Sequence, residues 1–299
     1  MDYAYYPPDT YTLAIPNQGA WGKSLQGICF GLSYSNGLLA TSTSNGNLTW
    51  AGGNHEGYSG RSLENALTRL SNGEKVSLPF SGPADLMRGG YWGDLKDFGE
   101  RVNGTFNHST YIGAADTPGF NRATNLKTAS QYPFDPNLTA LNKFAAKDGL
   151  QTAINVNENN PLATLNMIRN DAGQRAGGFG GGTIPIFVIK GEQGAHALLF
   201  QSIKESGGIS ILRVFDPSFN GRTEQISISD QGKILSSTVP GYEAGKIQGT
   251  GIYFIPADKA TSQTATNPSA PPAQQPSAPD ASRAYQYNRA AAAAAATHF

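Results

Sequence analysis

Cysteine is almost absent: Cys29 is the single one in 299 residues, and one thiol cannot form an intramolecular disulfide. The fold must be held by its core, and the thiol is either packing or chemistry. Excess charge of either sign is also missing, since 22 Lys and Arg balance 22 Asp and Glu. Without a basic surplus, a nucleic-acid partner is not expected. Nor is a polybasic hold on an anionic membrane. No apolar run reaches the roughly 18 residues of a transmembrane helix, so no integral membrane segment is expected. Met1 to Pro8 lack a basic segment followed by an apolar one, so a standard secretory signal is not expected. No His-Glu-x-x-His motif and no paired Cys/His spacing occur, which excludes the usual zinc hydrolases. The Gly-x-Ser-x-Gly elbow of ordinary α/β-hydrolases is missing. Gly177 to Gly182 lack the Gly-Lys-Ser/Thr ending of a phosphate loop and read as a plain loop before a sheet. No cofactor and no metal are expected.

What is present divides the chain in two. Residues 1–256 have the composition of one folded domain. Residues 257–299 are rich in Ala, Pro, Ser and Gln, bury too little apolar surface to offset ordering entropy, and are expected to form a disordered tail. In the domain's first half, Gln26 to Ala40 places Cys29, Leu32 and Ser33 on one helical face. Ser62 to Leu70 has an amphipathic face behind a capping-box-like Ser62-x-x-Asn65. Leu138 to Leu150 and Pro161 to Arg169 are further helices, the second with proline in its first turn. The second half reads as strands: Thr183 to Ile189, Ala195 to Ser202, Gly208 to Phe215, Thr223 to Ile228 and Gly251 to Ile255. Short turns between them predict an antiparallel sheet. Helices followed by such a sheet define an α+β class.

Three residues could share one chemistry. Cys29, between Gly27 and Gly31, falls at a predicted helix start, where free N–H groups and the positive dipole end favour a thiolate. His196 opens an apolar strand, where an imidazole needs partners for its nitrogens. Asp216 ends the next strand, just before Pro217, so a hairpin would set it beside His196. Taken alone, each has a plainer role: a small buried hydrophobe, a structural histidine, an Asx turn. Together they give a nucleophile, a base and a group that orients the base. His55, His108 and His298 lie in loop-like or tail segments.

These residues resemble the papain-like cysteine peptidases, above all the bacterial effector branch typified by YopT and AvrPphB. That branch has a Gly-x-Cys-x-x-Leu-Ser helix start, matched by Gly27 to Ser33. It has a His-Ala that opens its catalytic strand, matched by His196-Ala197. It also has a Phe-Asp-Pro-x-x-Gly-like turn, matched approximately by Phe215 to Gly221. The resemblance implies a papain-like fold, with an N-terminal helical lobe whose central nucleophile helix packs on a C-terminal antiparallel sheet. It implies a Cys29-His196-Asp216 triad and a protein substrate in a host or target cell. The protein would then be secreted without a classical signal peptide, or would be cytoplasmic. Cys29 and His196 are further apart than in papain-type enzymes, which an insertion within 75–135 would explain. Where those enzymes carry an oxyanion-stabilising Gln, this chain has Lys23, and Gln26 is the nearest candidate for the role, ahead of Gln18. A glutamine deamidase or transglutaminase with the same triad, and a non-catalytic papain-fold binding module, are the alternatives.

Overall fold

A computed structural model describes residues 2–6, 28–115, 134–147, 161–174, 182–192, 194–217 and 222–257. Within them the chain is α+β. A helical region is followed by a curled antiparallel sheet, as the order of helix and strand patterns predicts. The helices are α1 (Cys29–Ser44), α2 (Gly60–Ser71), α3 (Pro83–Arg88), α4 (Trp92–Ala115), α5 (Thr139–Lys147) and α6 (Pro161–Gln174). The strands are β1 (Asp2–Ala4), β2 (Leu48–Trp50), β3 (Val76–Leu78), β4 (Thr183–Gly191) and β5 (Gly194–Ser206). They continue as β6 (Ile209–Asp216), β7 (Arg222–Ser229), β8 (Ile234–Ser237) and β9 (Ile247–Pro256). Seven strands form the main sheet in the order β8-β7-β6-β5-β4-β9, with β1 added alongside β5. β2 and β3 form a separate parallel pair. None of the described helices is long and apolar enough to cross a membrane.

Helix α1 is the centre of the packing. From Cys29 to Leu39 every residue is buried, because α4 lies on one side and strands β4 and β5 on another. Two glycines make those approaches possible. A Cβ on Gly31 would stand 1.8 Å from the carbonyl oxygen of Gly99 in α4. One on Gly37 would stand 2.3 Å from Ile184 Cγ2 of β4. Polar α1 side chains turn back on the helix: Ser35 Oγ donates to the Gly31 carbonyl at 2.7 Å, and Asn36 to the Leu32 carbonyl at 2.9 Å. That satisfies groups which would be costly to bury unpaired.

The N-terminal segment is part of the domain. β1 pairs with the second half of β5, Tyr3 opposite Ile203, where β4 no longer runs beside it. Tyr5 and Tyr6 are both buried. The Tyr5 hydroxyl donates to Asp171 of α6, and the Tyr6 hydroxyl lies 3.2 Å from Thr41 Oγ1 of α1.

One expectation changes. The cap of α2 is Ser59, not Ser62: Ser59 Oγ accepts from the Ser62 N–H at 3.1 Å, so the helix begins at Gly60 and Ser62 lies inside it. The 75–135 stretch, within which an insertion is expected, contains β3, α3 and α4 in its described part. Of these, α4 packs directly on α1 through the Gly31 and Gly99 contact. The helix expected at Leu138 to Leu150 runs from Thr139 to Lys147, and 148–150 lie outside the described residues. So do 175–181 and the expected tail beyond Ala257.

Candidate active site

Cys29 is the first residue of α1, and Ile28 holds the N-cap position with no side-chain hydrogen bond to the first turn. Isoleucine has no acceptor to offer, so the partial positive charge of the helix start is not spent on a capping carboxylate or hydroxyl of that residue. The thiol leans towards β5, and the Ala197 N–H donates to Cys29 Sγ at 3.4 Å.

The sheet supplies the imidazole and the carboxylate. β5 carries His196 opposite Ile189 of β4. The β5-β6 hairpin, with Leu199 opposite Phe215, brings the start of one strand to the end of the other. As a result His196 Nε2 and Asp216 Oδ1 are 2.8 Å apart. The imidazole's other side-chain partner is Cys29. With Nε2 engaged by the carboxylate, Nδ1 is the nitrogen left for sulfur. The three groups are sealed: Cys29 is 2% exposed, His196 6% and Asp216 0%.

Electrostatics follow from that burial. Desolvation alone would push the His196 pKa down. The hydrogen bond to Asp216, the hydrogen bond and charge of Cys29, and the Asp216 charge outweigh it and hold the imidazole up at about 10. The ring therefore favours its charged form near neutrality. Tyr242 covers one face, its ring stacked on His196 with centroids 5.8 Å apart and planes 19° apart. Burial, then the Cys29 and Asp216 charges, push the Tyr242 phenol up. It keeps its proton and adds no negative charge of its own to the site.

The structure thus brings together Cys29, His196 and Asp216, the three residues singled out in the sequence. Gln26, Gln18, Lys23 and His298 lie outside the described residues, as does the side chain of His108. His55 is engaged elsewhere, 3.7 Å from Asp85 Oδ1 and tilted against Phe80. Neither Tyr242 nor the Ala197 N–H is marked by the sequence. Tyr242 sits in a turn with no pattern to mark it, and a backbone donor leaves no trace in residue type. Chemically, the arrangement is a thiol beside an imidazole that a buried carboxylate holds from the other side. Searches against protein-family models, curated proteins and solved structures find no match to this chain.

Proposed function

We propose that the chain is a papain-like cysteine peptidase that cleaves a protein substrate. The observation that carries this reading is the bridge made by His196, with the Cys29 thiol on one side and Asp216 Oδ1 at 2.8 Å on the other. In the proposed reaction Cys29 Sγ attacks the scissile carbonyl carbon and forms a tetrahedral adduct. The C–N bond then breaks, and His196 delivers its proton to the leaving amine. The acyl group remains on Cys29 as a thioester. Water attacks the thioester, His196 accepts a water proton, and the acid product leaves as the Cys29 thiolate and the protonated His196 return to their starting state. Asp216 holds the ring's tautomer and stabilises its positive charge throughout. By the resemblance to the bacterial effector branch, the substrate is a protein of a host or target cell.

A test that needs no knowledge of the substrate is labelling with an epoxysuccinyl thiol-protease probe. Stoichiometric labelling at Cys29, lost in His196→Ala, is the expected result. Equal labelling of both proteins, or none in either, would overturn the reading. Incubation with candidate target proteins separates the alternative chemistry. New peptide termini support proteolysis, and ammonia release without new termini assigns the site to a deamidase or transglutaminase instead.

A further inference from the structure

Ala197 is held by α1 at both of its backbone groups. Its N–H donates to Cys29 Sγ at 3.4 Å, and its carbonyl accepts from Ser33 Oγ at 3.1 Å. Cys29 and Ser33 are one helical turn apart, so they project from the same face of α1. In an antiparallel ladder, the N–H and C=O of one residue address the same neighbour. Here that neighbour is not a strand. The β5-β6 ladder begins only at Leu199 and Phe215. β6 ends at Asp216, and Pro217 behind it has no N–H to continue a ladder. Cys29 and Ser33 take up the two Ala197 groups that β6 does not reach.

We infer that Ser33 is a positioning residue: its hydroxyl fastens the Ala197 peptide to α1 and so sets the distance between the Cys29 sulfur and the neighbouring His196 ring. The inference rests on the reading of Cys29 and His196 as nucleophile and base. Ser33 is fully buried and is directed at the strand backbone, so its effect on substrate passes through the other two residues. α1 provides its own control. Ser35 is equally buried and donates to a helix carbonyl, that of Gly31, with no part in the strut. Removing either hydroxyl deletes one buried hydrogen bond, but only Ser33 links the helix to the catalytic strand.

The experiment is the iodoacetamide alkylation rate of Cys29 across pH, in wild type, Ser33→Ala, Ser35→Ala, Ser33→Thr and His196→Ala, with thermal midpoints measured alongside. Ser33→Ala is expected to slow alkylation at about pH 6 by roughly three- to tenfold, the scale of one hydrogen bond. At about pH 9, where a free thiol is largely ionised, its rate should stay close to wild type. Ser35→Ala should lower the thermal midpoint comparably and leave the rate ratio between the two pH values unchanged. Ser33→Thr, which keeps the hydroxyl, should restore that ratio. The inference is overturned if Ser33→Ala keeps the wild-type ratio, or if Ser35→Ala shifts it as much. Identical profiles for wild type and His196→Ala would instead bring down the underlying nucleophile-base reading, and the inference with it.

Discussion

Asp216 Oδ1 meets His196 Nε2 at 2.8 Å with both residues buried. A charge-assisted hydrogen bond in such surroundings is stronger than one at a surface, and an unpaired group there is costlier. Asp216→Asn keeps the shape and removes the charge. It is expected to lower Cys29-dependent turnover, and epoxysuccinyl labelling with it, by about a hundredfold or more. Near-ultraviolet circular dichroism should remain that of the wild type. A loss of only a fewfold would show that the carboxylate does not orient the base.

The raised His196 value sets a stability window with a definite sign. A histidine lifted from 6.5 to about 10 on folding contributes fully below its unfolded value. It loses that contribution as pH rises through the folded one. The difference in thermal midpoint between wild type and His196→Gln should therefore be largest near pH 6.5 and shrink towards pH 10. A difference that grows over the same interval would contradict the charged pairing.

Tyr242 meets His196 through a ring stack. Tyr242→Phe should keep labelling of Cys29 at about pH 6 within about twofold of wild type. Tyr242→Ala opens one face of the imidazole to water and should slow labelling several-fold, because solvent weakens the pairing that holds the ring's charge. Equal rates for the two variants would show the stack to be incidental.

The crossing of α1 and α4 predicts an asymmetric pair of mutants. Gly31→Ala drives a methyl group to 1.8 Å from a backbone oxygen, and the helices must part. Urea denaturation should show a loss of about 3 kcal/mol or more. At Gly99 the nearest atom is Leu32 Cδ2 at 3.3 Å, a side-chain end that can give. Gly99→Ala should cost less than about 1.5 kcal/mol, partly offset by alanine's better helix propensity.

The revised cap of α2 has its own check. Ser59→Ala should destabilise the domain by about 1 kcal/mol, measured by the same denaturation, while Ser62→Ala should cost clearly less.

The sheet and its site were the legible part of this chain. β4 to β7 and β9 announce themselves by β-branched and aromatic runs between glycines. The hairpin at Gly207 and Gly208, both at positive φ, fixes which ends meet. That register is what turns His196 and Asp216 from two scattered residues into a pair. The helical half was less transparent. α4 contains Gly93, Gly99, Gly104 and Gly113, which lower its apparent helix propensity. Gly99 is there for the close approach to Gly31, a reason visible only when both helices are placed. Strands β1, β2 and β3 have three residues each and β8 has four, too few for alternation to register. Ser62 displaced Ser59 as the expected cap because both lie just ahead of the same apolar face, and only the hydrogen bond distinguishes them.

The interval in sequence between Cys29 and the pair formed by His196 and Asp216 has a consequence in time. During synthesis Cys29 emerges from the ribosome long before His196. The loop that joins them must close against a large entropy loss before any of the three groups meet. Until β5 and β6 have formed, the thiol has neither a base beside it nor a carboxylate behind that base. The nascent chain therefore carries Cys29 without either partner, and the three groups meet only once β5 and β6 are in place.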